Sequence, residues 1–274
     1  KIQIISTIMR KILSFCLLLT LSLYSTAQIK PTPASERLSS IDQRKKLVEA
    51  STVNGTAFRN IGPTVMSGRV VDMAVNPDDP TNFYVEYATG GLWHTTNNGQ
   101  SFTSVFDSEA ILTIGAIAVN WKSNIIWIGT GEVNSSRSSY AGIGVYKSSN
   151  GGKSWDYLGL PESHHIGKIV INEAEPNTAW VAALGHLYSP NKERGVYKTT
   201  DGGANWIKLT TGLPETKFTG RIGLTFSKSN PNVVYAYVDN HTPKREPKAG
   251  ELDPYGRPIQ VIPFGVQVYR SDDK

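Results

Sequence analysis

Three cations stand at one recurring place in this 274-residue chain. Gly68-Arg69, Gly167-Lys168 and Gly220-Arg221 each open a stretch that is apolar on alternate positions or throughout, and Gly115-Ala116 opens a fourth such stretch without a charge. Side chains at one place in a repeat converge when the repeats are set around an axis, and converging cations attract an anion such as a carboxylate or an acidic glycan. Held together at a solvated rim they repel one another by roughly 1 kcal/mol per pair, so acids or a bound anion must offset them. Glu132, in Gly129-Thr130-Gly131-Glu132, and Asp239 are the acids placed to do so. A ligand site would leave at least two of the three cations exposed and unpaired. His164, His165 and His186 fall on the same side of the repeat, but no pair has a metal-ligand spacing. The candidate ligand-binding set is therefore Arg69, Lys168, Arg221 and Glu132, with no catalytic residue assigned and neither metal nor cofactor expected.

What must position these residues is a repeated turn. Thr95-Thr96-Asn97-Asn98-Gly99-Gln100-Ser101-Phe102, Ser148 to Trp155 and Thr199 to Trp206 share one pattern, Ser/Thr, any, Asp/Asn, any, Gly, any, any, aromatic. A fourth copy begins at Ser271-Asp272-Asp273 and is cut off, the spacings being 53, 51 and 72 residues. Self-similarity at such a period marks a repeat protein. The Asp or Asn side chain suits a tight turn because it accepts backbone N–H bonds, and the Gly supplies a positive φ without steric cost. Strand-like segments flank each copy, so the box is expected to be a hairpin turn whose aromatic packs into the core.

Four strands are expected per repeat. The innermost candidates are residues 69–75, 116–120, 168–171 and 221–226. Second strands carry Tyr84, Trp127, Trp180 and Tyr235, the third leads into the box and the fourth leaves it. Four-stranded antiparallel units of about 50 residues predict an all-β fold, a β-propeller with three complete blades and part of a fourth. Antiparallel order places the boxes on one face and the second-to-third loops on the other. Those loops, residues 88–91, 130–142, 184–194 and 239–264, differ sharply in length, and insertions gathered on one face mark a binding face.

The box resembles the Asp-box, or BNR, repeat of β-propellers shared by sialidases, xyloglucanase-type glycoside hydrolases and the sortilin N-terminal domain. The likeness runs over residues 69–274. Ile61-Gly62-Pro63, Gly68-Arg69-Val70, Tyr84 and Gly90-Gly91-Leu92-Trp93 look most like bacterial exported proteins grouped with the sortilin N-terminal domain. Phe58-Arg59-Asn60-Ile61-Gly62-Pro63 is a spread-out version of the sialidase Phe-Arg-Ile-Pro signature, whose Arg holds a carboxylate. Xyloglucanase-type enzymes carry a catalytic Asp two residues before a Gly-Gly; here Ala88 precedes Thr89-Gly90-Gly91, and hydrolysis with either stereochemistry needs two carboxyl groups. The resemblance thus implies a protein that binds a ligand or protein partner, with a carbohydrate-active hydrolase as the alternative.

The N-terminal part reads differently. Met9-Arg10-Lys11, the apolar run Ile12 to Leu23 and Ser25-Thr26-Ala27 have the form of a signal peptide over residues 9–27. Residues 1–8 are then an upstream extension, 28–57 a leader and 58–274 a propeller truncated at its C-terminus. Within the leader, Ser35 to Ala50 has helical spacing, and Ser40 and Gln43 are placed as a capping pair. The formal charge is +5, of which Lys1, Arg10 and Lys11 supply three, so residues 28–274 carry only +2 and give no argument for nucleic acid. Cys16, the one cysteine, lies within the signal segment. A secreted, periplasmic or bacterial cell-envelope location is expected, with no membrane span after cleavage and an anionic ligand, glycan or protein as partner.

Overall fold

The structure, a computed structural model, describes residues 31–56, 68–135, 139–227, 229–230 and 232–272. The expected signal peptide, the Phe58 to Pro63 signature and Asp273 lie outside these residues. No helix among them is long and apolar enough to cross a membrane.

Beyond one helix and two short 3-10 turns, the described chain is antiparallel strand. The first sheet runs β1 (Val70–Val75), β2 (Phe83–Tyr87), β3 (Gly91–Thr95) and β4 (Thr103–Ser104). The second holds β5 (Ile114–Asn120), β6 (Ile125–Thr130), β7 (Val145–Ser148) and β8 (Asp156–Tyr157). The third holds β9 (Ile166–Ile171), β10 (Ala179–Ala183), β11 (Gly195–Thr199) and β12 (Ile207–Leu209). The fourth has three strands among the described residues, β13 (Thr219–Phe226), β14 (Val234–Arg245) and β15 (Ile262–Ser271). Within each sheet, consecutive strands are neighbours.

The core lies between sheets. Tyr84, Leu92, Ile114, Ile126 and Ile128 form a buried cluster between the first and second sheets. Trp127, Val145, Ile166, Ile169 and Val181 do the same between the second and third, and Trp180, Leu184, Ile222 and Leu224 between the third and fourth. In the first three sheets the aromatic of the second strand points at the following sheet, as with Tyr84 against Trp121 and Trp180 against Phe226, at 5.3 Å between ring centroids in both cases. The middle strands are covered on both faces, which is why β6 and β10 read as nearly unbroken apolar runs.

Three turns between third and fourth strands share one hydrogen-bond plan. In the second sheet the buried Ser148 hydroxyl donates to Asn150 Oδ1 at 2.9 Å and accepts from Gly152 N–H at 2.8 Å. Asn150 Oδ1 in turn accepts Ser154 N–H at 3.0 Å. Thr95 with Asn97 and Thr199 with Asp201 repeat these contacts in the other two sheets. Gly152 has φ +86°, and a Cβ there would press on Val105 of the preceding sheet. Trp155 and Trp206 reach back across the same seam, donating at 2.8 Å to the carbonyls of Val105 and Leu158. The turn therefore closes its own hairpin and fastens it to the sheet before it.

Two expectations need correction. The stretch 239–264 is strand at both ends, because β14 and β15 continue as a ribbon to Arg245 and Ile262, past register shifts at Pro243, which confines the connection to the residues between them. Backbone pairing sustains the ribbon, helped by Asn240 Nδ2–H to Gln267 Oε1 at 2.6 Å and a two-pronged Arg245–Glu251 pair at its tip. The leader does form a helix, α1 (Ala34–Glu49), but Ser40 lies in its interior and bonds back to the Arg37 carbonyl. The helix starts instead at Pro33, with Glu162 Oε1 accepting the Ala34 N–H at 2.7 Å.

Ser148→Ala strands the buried Gly152 N–H and should cost about 1–3 kcal/mol in denaturant unfolding; a loss under half a kilocalorie would show that the hydroxyl does not hold the turn. At Asp201, the backbone N–H of Asn205, its side-chain amide and the Thr199 hydroxyl hold the carboxyl down at about 2 against an ordinary 3.8. Its stabilisation is complete above 3.8 and disappears as pH falls toward 2. Asn97 and Asn150 show that an amide also suits the turn, so Asp201→Asn should keep neutral-pH stability and flatten that acid limb; an unchanged acid limb would contradict the assignment.

Candidate functional site

The first strands β1, β5, β9 and β13 pack side by side in that order. Each has a register shift at its start, between Val70 and Asp72, between Ile114 and Ala116, around Gly167, and between Thr219 and Ile222. Gly115 sits at one of these shifts, where a Cβ would overlap the carbonyl oxygens of Gly131 and Ile166. Such an irregularity re-aims the residues beside it.

The register revises which residues are equivalent. Counting from the partners of Tyr84, Trp127 and Trp180, the place held by Ala116 and Lys168 is held in the first sheet by Asp72. Arg69 lies three residues earlier, ahead of β1. Lys168 Nζ is 2.6 Å from Asp72 Oδ2, so matching positions on the first and third sheets meet, two sheets apart. Arg69 bonds through Nε, at 3.0 Å, and through Nη2 to Oε1 of Glu132, which is fully buried. Two of the three expected cations are thus neutralised by protein carboxylates, which leaves one unpaired where an anion site shared by all three needs two. Arg221 is exposed and has no ion pair among the described residues.

Behind the Lys168–Asp72 pair lies a residue that spacing alone did not single out. Glu86, opposite Asp72 on β2, is completely buried, and neither of its carboxyl oxygens has a hydrogen-bond partner. Burial and then the Asp72 charge push its pKa well above the usual carboxylate range, against the pull of Lys168. Burial thus favours the protonated form of Glu86 beside an ion pair. Ala88, where the xyloglucanase resemblance implies an acid, is buried with its N–H bonded to the Arg69 carbonyl at 2.9 Å.

Arg221 opens into a cleft of about 390 Å³. Val133 and Ser135 reach it from the β6–β7 loop, Leu184 and Leu187 from the β10–β11 loop, and Asp239 and His241 from β14. Arg194 adds positive charge, Lys217 is paired with Glu215 at 3.0 Å, and Asp239, the one carboxylate among the lining residues, is engaged by His241 at 2.9 Å. Arg194 shapes this wall. Its guanidinium donates to the carbonyls of Leu184 at 2.7 Å, Thr219 at 3.0 Å, Ser189 at 3.2 Å and His186, tying the β10–β11 loop to the start of β13.

The three histidines separate. His165 Nδ1 is 2.8 Å from the Glu132 carbonyl and belongs to the packing beneath Glu132. His164 and His186 bring their Nε2 atoms to 3.0 Å of one another, beside Glu162 and Arg37. Burial, then the charge of Arg37 and the neighbouring His186, draw His164 down to about 4.

No protein-family model and no curated protein sequence matches the chain. Solved structures do. An ancestral GH74 enzyme aligns at TM-score 0.50 and 26% identity, over 65% of this chain and 23% of that one. The chain folds like a β-propeller protein. The GH74 xyloglucanase from Xanthomonas campestris aligns at 0.49 and 14%, over 73% of this chain and 28% of its own. An auxiliary nutrient binding protein from Bacteroides thetaiotaomicron aligns at 0.45 and 10%, over 76% and 43%. The chain thus spans about a quarter of the length of the GH74 enzymes it matches.

Glu86 yields a test by pH. A raised carboxyl pKa contributes stability that is full below the unfolded value of 4.5 and is lost as pH rises toward the folded value. Each pH unit in that span costs about 1.4 kcal/mol. Glu86→Gln keeps the shape without the ionisation, so it should be the more stable protein at pH 7 and lose its advantage near pH 4; urea midpoints that run parallel for the two proteins at both pH values would show that Glu86 is ionised in the fold.

Proposed function

We propose that this is an exported β-propeller protein that binds an anionic ligand, an acidic glycan or an acidic protein segment, on the face formed by its β6–β7, β10–β11 and β14–β15 connections. The observation that carries the reading is the cleft at Arg221. It gathers the β6–β7 and β10–β11 connections with β14 and the start of β13, and its walls present Arg194 and Arg221, neither in an ion pair among the described residues, beside the lining carboxylate Asp239. Arg69, Lys168 and Glu132 then serve as the frame, their charges spent on the ion pairs that fix the strand starts. Arg221 is the residue that meets the ligand. The boxes lie on the opposite ends of the hairpins and take no part.

A carbohydrate-active hydrolase of the xyloglucanase type is the second reading, favoured by the likeness to the ancestral GH74 enzyme. Against it stands the chemistry of the cleft. Glycoside hydrolysis places two carboxyl groups across the scissile bond, whereas Asp239 alone lines the cleft and Ala88 stands where the resemblance implies an acid. An origin among bacterial exported proteins grouped with the sortilin N-terminal domain fits the binding reading and the signal-like segment at residues 9–27.

Titration calorimetry with tetragalacturonate and with neutral xyloglucan oligosaccharides separates these readings. The charged sugar should bind in preference, and Arg221→Ala should weaken it at least about tenfold, the loss of one charge-assisted contact. Equal binding of both sugars, or an Arg221→Ala protein that binds as before, would refute the anion cleft. Release of reducing ends from xyloglucan would establish the hydrolase instead.

A further inference from the structure

Glu162 and His164, from one short turn, and His186, from the β10–β11 loop, are brought together. The 3-10 turn Pro161–Ser163 begins at Leu160 and ends at His164, both in the left-handed region at φ 57° and 53°. That reversal turns the His164 ring back over its own turn, so that Nε2 lies 3.2 Å from Glu162 Oε2. Non-glycine residues are held in this region only where the surroundings over-determine them, and such positions gather at functional sites. Here Gly131 supplies the surroundings, since any Cβ on it would overlap the His164 carbonyl oxygen.

His186 arrives from the β10–β11 loop. Its Nε2 is 3.0 Å from His164 Nε2, the two rings stand at 80°, and its Nδ1 is 3.0 Å from Ser189 Oγ. One proton between the two nitrogens makes an ordinary N–H···N bond, but His164 Nε2 is also 3.2 Å from both the Glu162 carboxylate and the Arg37 guanidinium, more partners than its single in-plane position serves. Two of the three spacings among the ligand atoms fit a metal. Ligand atoms around a tetrahedral zinc ion at Zn–N distances of 2.0–2.1 Å lie about 3.3 Å apart; His164 Nε2 is 3.0 Å from His186 and 3.2 Å from Glu162, and all three ligand atoms lie within 4.8 Å of one another, so His186 must close toward Glu162 around an ion. Ser189 holds the far nitrogen of His186, and the Ala34 N–H occupies Glu162 Oε1 at 2.7 Å, leaving Oε2 for the cluster.

A guanidinium also reaches this place. Arg37 of α1 puts Nη2 3.2 Å from His164 Nε2 and 3.3 Å from Glu162 Oε2. The same side chain is anchored to the carbonyls of Pro161, at 2.8 Å, and Gly142. A cation of the chain thus stands where a metal cation would.

We propose that Glu162, His164 and His186 form a binding site for a divalent transition-metal ion of the zinc class, and that Arg37 competes with the ion for the same ligand atoms. Three protein ligands leave a fourth position for water. Binding moves the guanidinium away from the two imidazoles, so metal occupancy and the seating of α1 are linked, each weakening the other. None of the three ligands lines the Arg221 cleft, so this site stands or falls apart from the anion reading.

The test is zinc titration of the metal-stripped full chain by competition with a chromophoric chelator, followed by the absorption spectrum of the cobalt form. The wild-type chain should bind one ion, Arg37→Met should bind it at least tenfold more tightly, and His186→Ala should lose at least tenfold. His186 is partly exposed on a loop, so its replacement is expected to fold, and circular dichroism checks this; Glu162→Gln is the second ligand variant should it not. The cobalt form should show the strong visible bands of a four- or five-coordinate ion. If Arg37→Met and the wild type both bind no zinc, or if the ligand variants bind it unchanged, the site is wrong. Binding that is unaffected by Arg37→Met, but lost in the ligand variants, would overturn the competition.

Discussion

A sheet in this chain is stable only against another sheet. Apart from the rim, the buried side chains of each β-sheet face a neighbour, and every cluster of the core is shared between two consecutive sheets. No sheet therefore has a core of its own. Cooperative stability in such an array comes from the interfaces between repeats as much as from the repeats themselves. The tryptophans of the turns matter for this reason. Trp155 and Trp206 spend their one donor on the preceding sheet, so closure of a hairpin and attachment of its sheet are the same event.

That constraint also sets the two ends of the hairpins apart. The Ser/Thr–Asx turns must keep their hydrogen bonds, and they repeat almost atom for atom. The opposite connections carry no such obligation and diverge freely in length. Between the two, the starts of the inner strands have to converge, and converging charge must be answered. Glu132 answers Arg69 and Asp72 answers Lys168. Arg221 is answered by neither, and it opens onto the cleft where the divergent connections meet.

Much of this was legible in the residues. The recurrence of the box located the third-to-fourth turns and, through antiparallel order, the face on which variable loops gather. The aromatics Tyr84, Trp127 and Trp180 marked the second strands because they must fill the seam toward the next sheet. What the pattern could not show was register. Matching Gly68-Arg69 with Gly167-Lys168 was reasonable by type, yet the shifts near the strand starts put Asp72 in that place, a distinction that depends on backbone pairing alone. The extension of β14 and β15 beyond Asn240 escaped for a related reason, since residues 241–245 and 262–264 have no buried position to mark a strand. Glu86 was hidden by its neighbours' apolarity, and the Glu162, His164 and His186 cluster by a left-handed turn that brings together residues whose spacing matches no metal motif.

The central claim is that ligand recognition belongs to the face of divergent connections. Backbone amide spectra recorded while tetragalacturonate is added test it most directly. The account predicts that shifts concentrate at residues 133–135, 184–187, 217–221 and 239–241, with the turns at 95–102, 148–155 and 199–206 unmoved. Shifts centred on those turns would place the ligand on the opposite face and contradict the account.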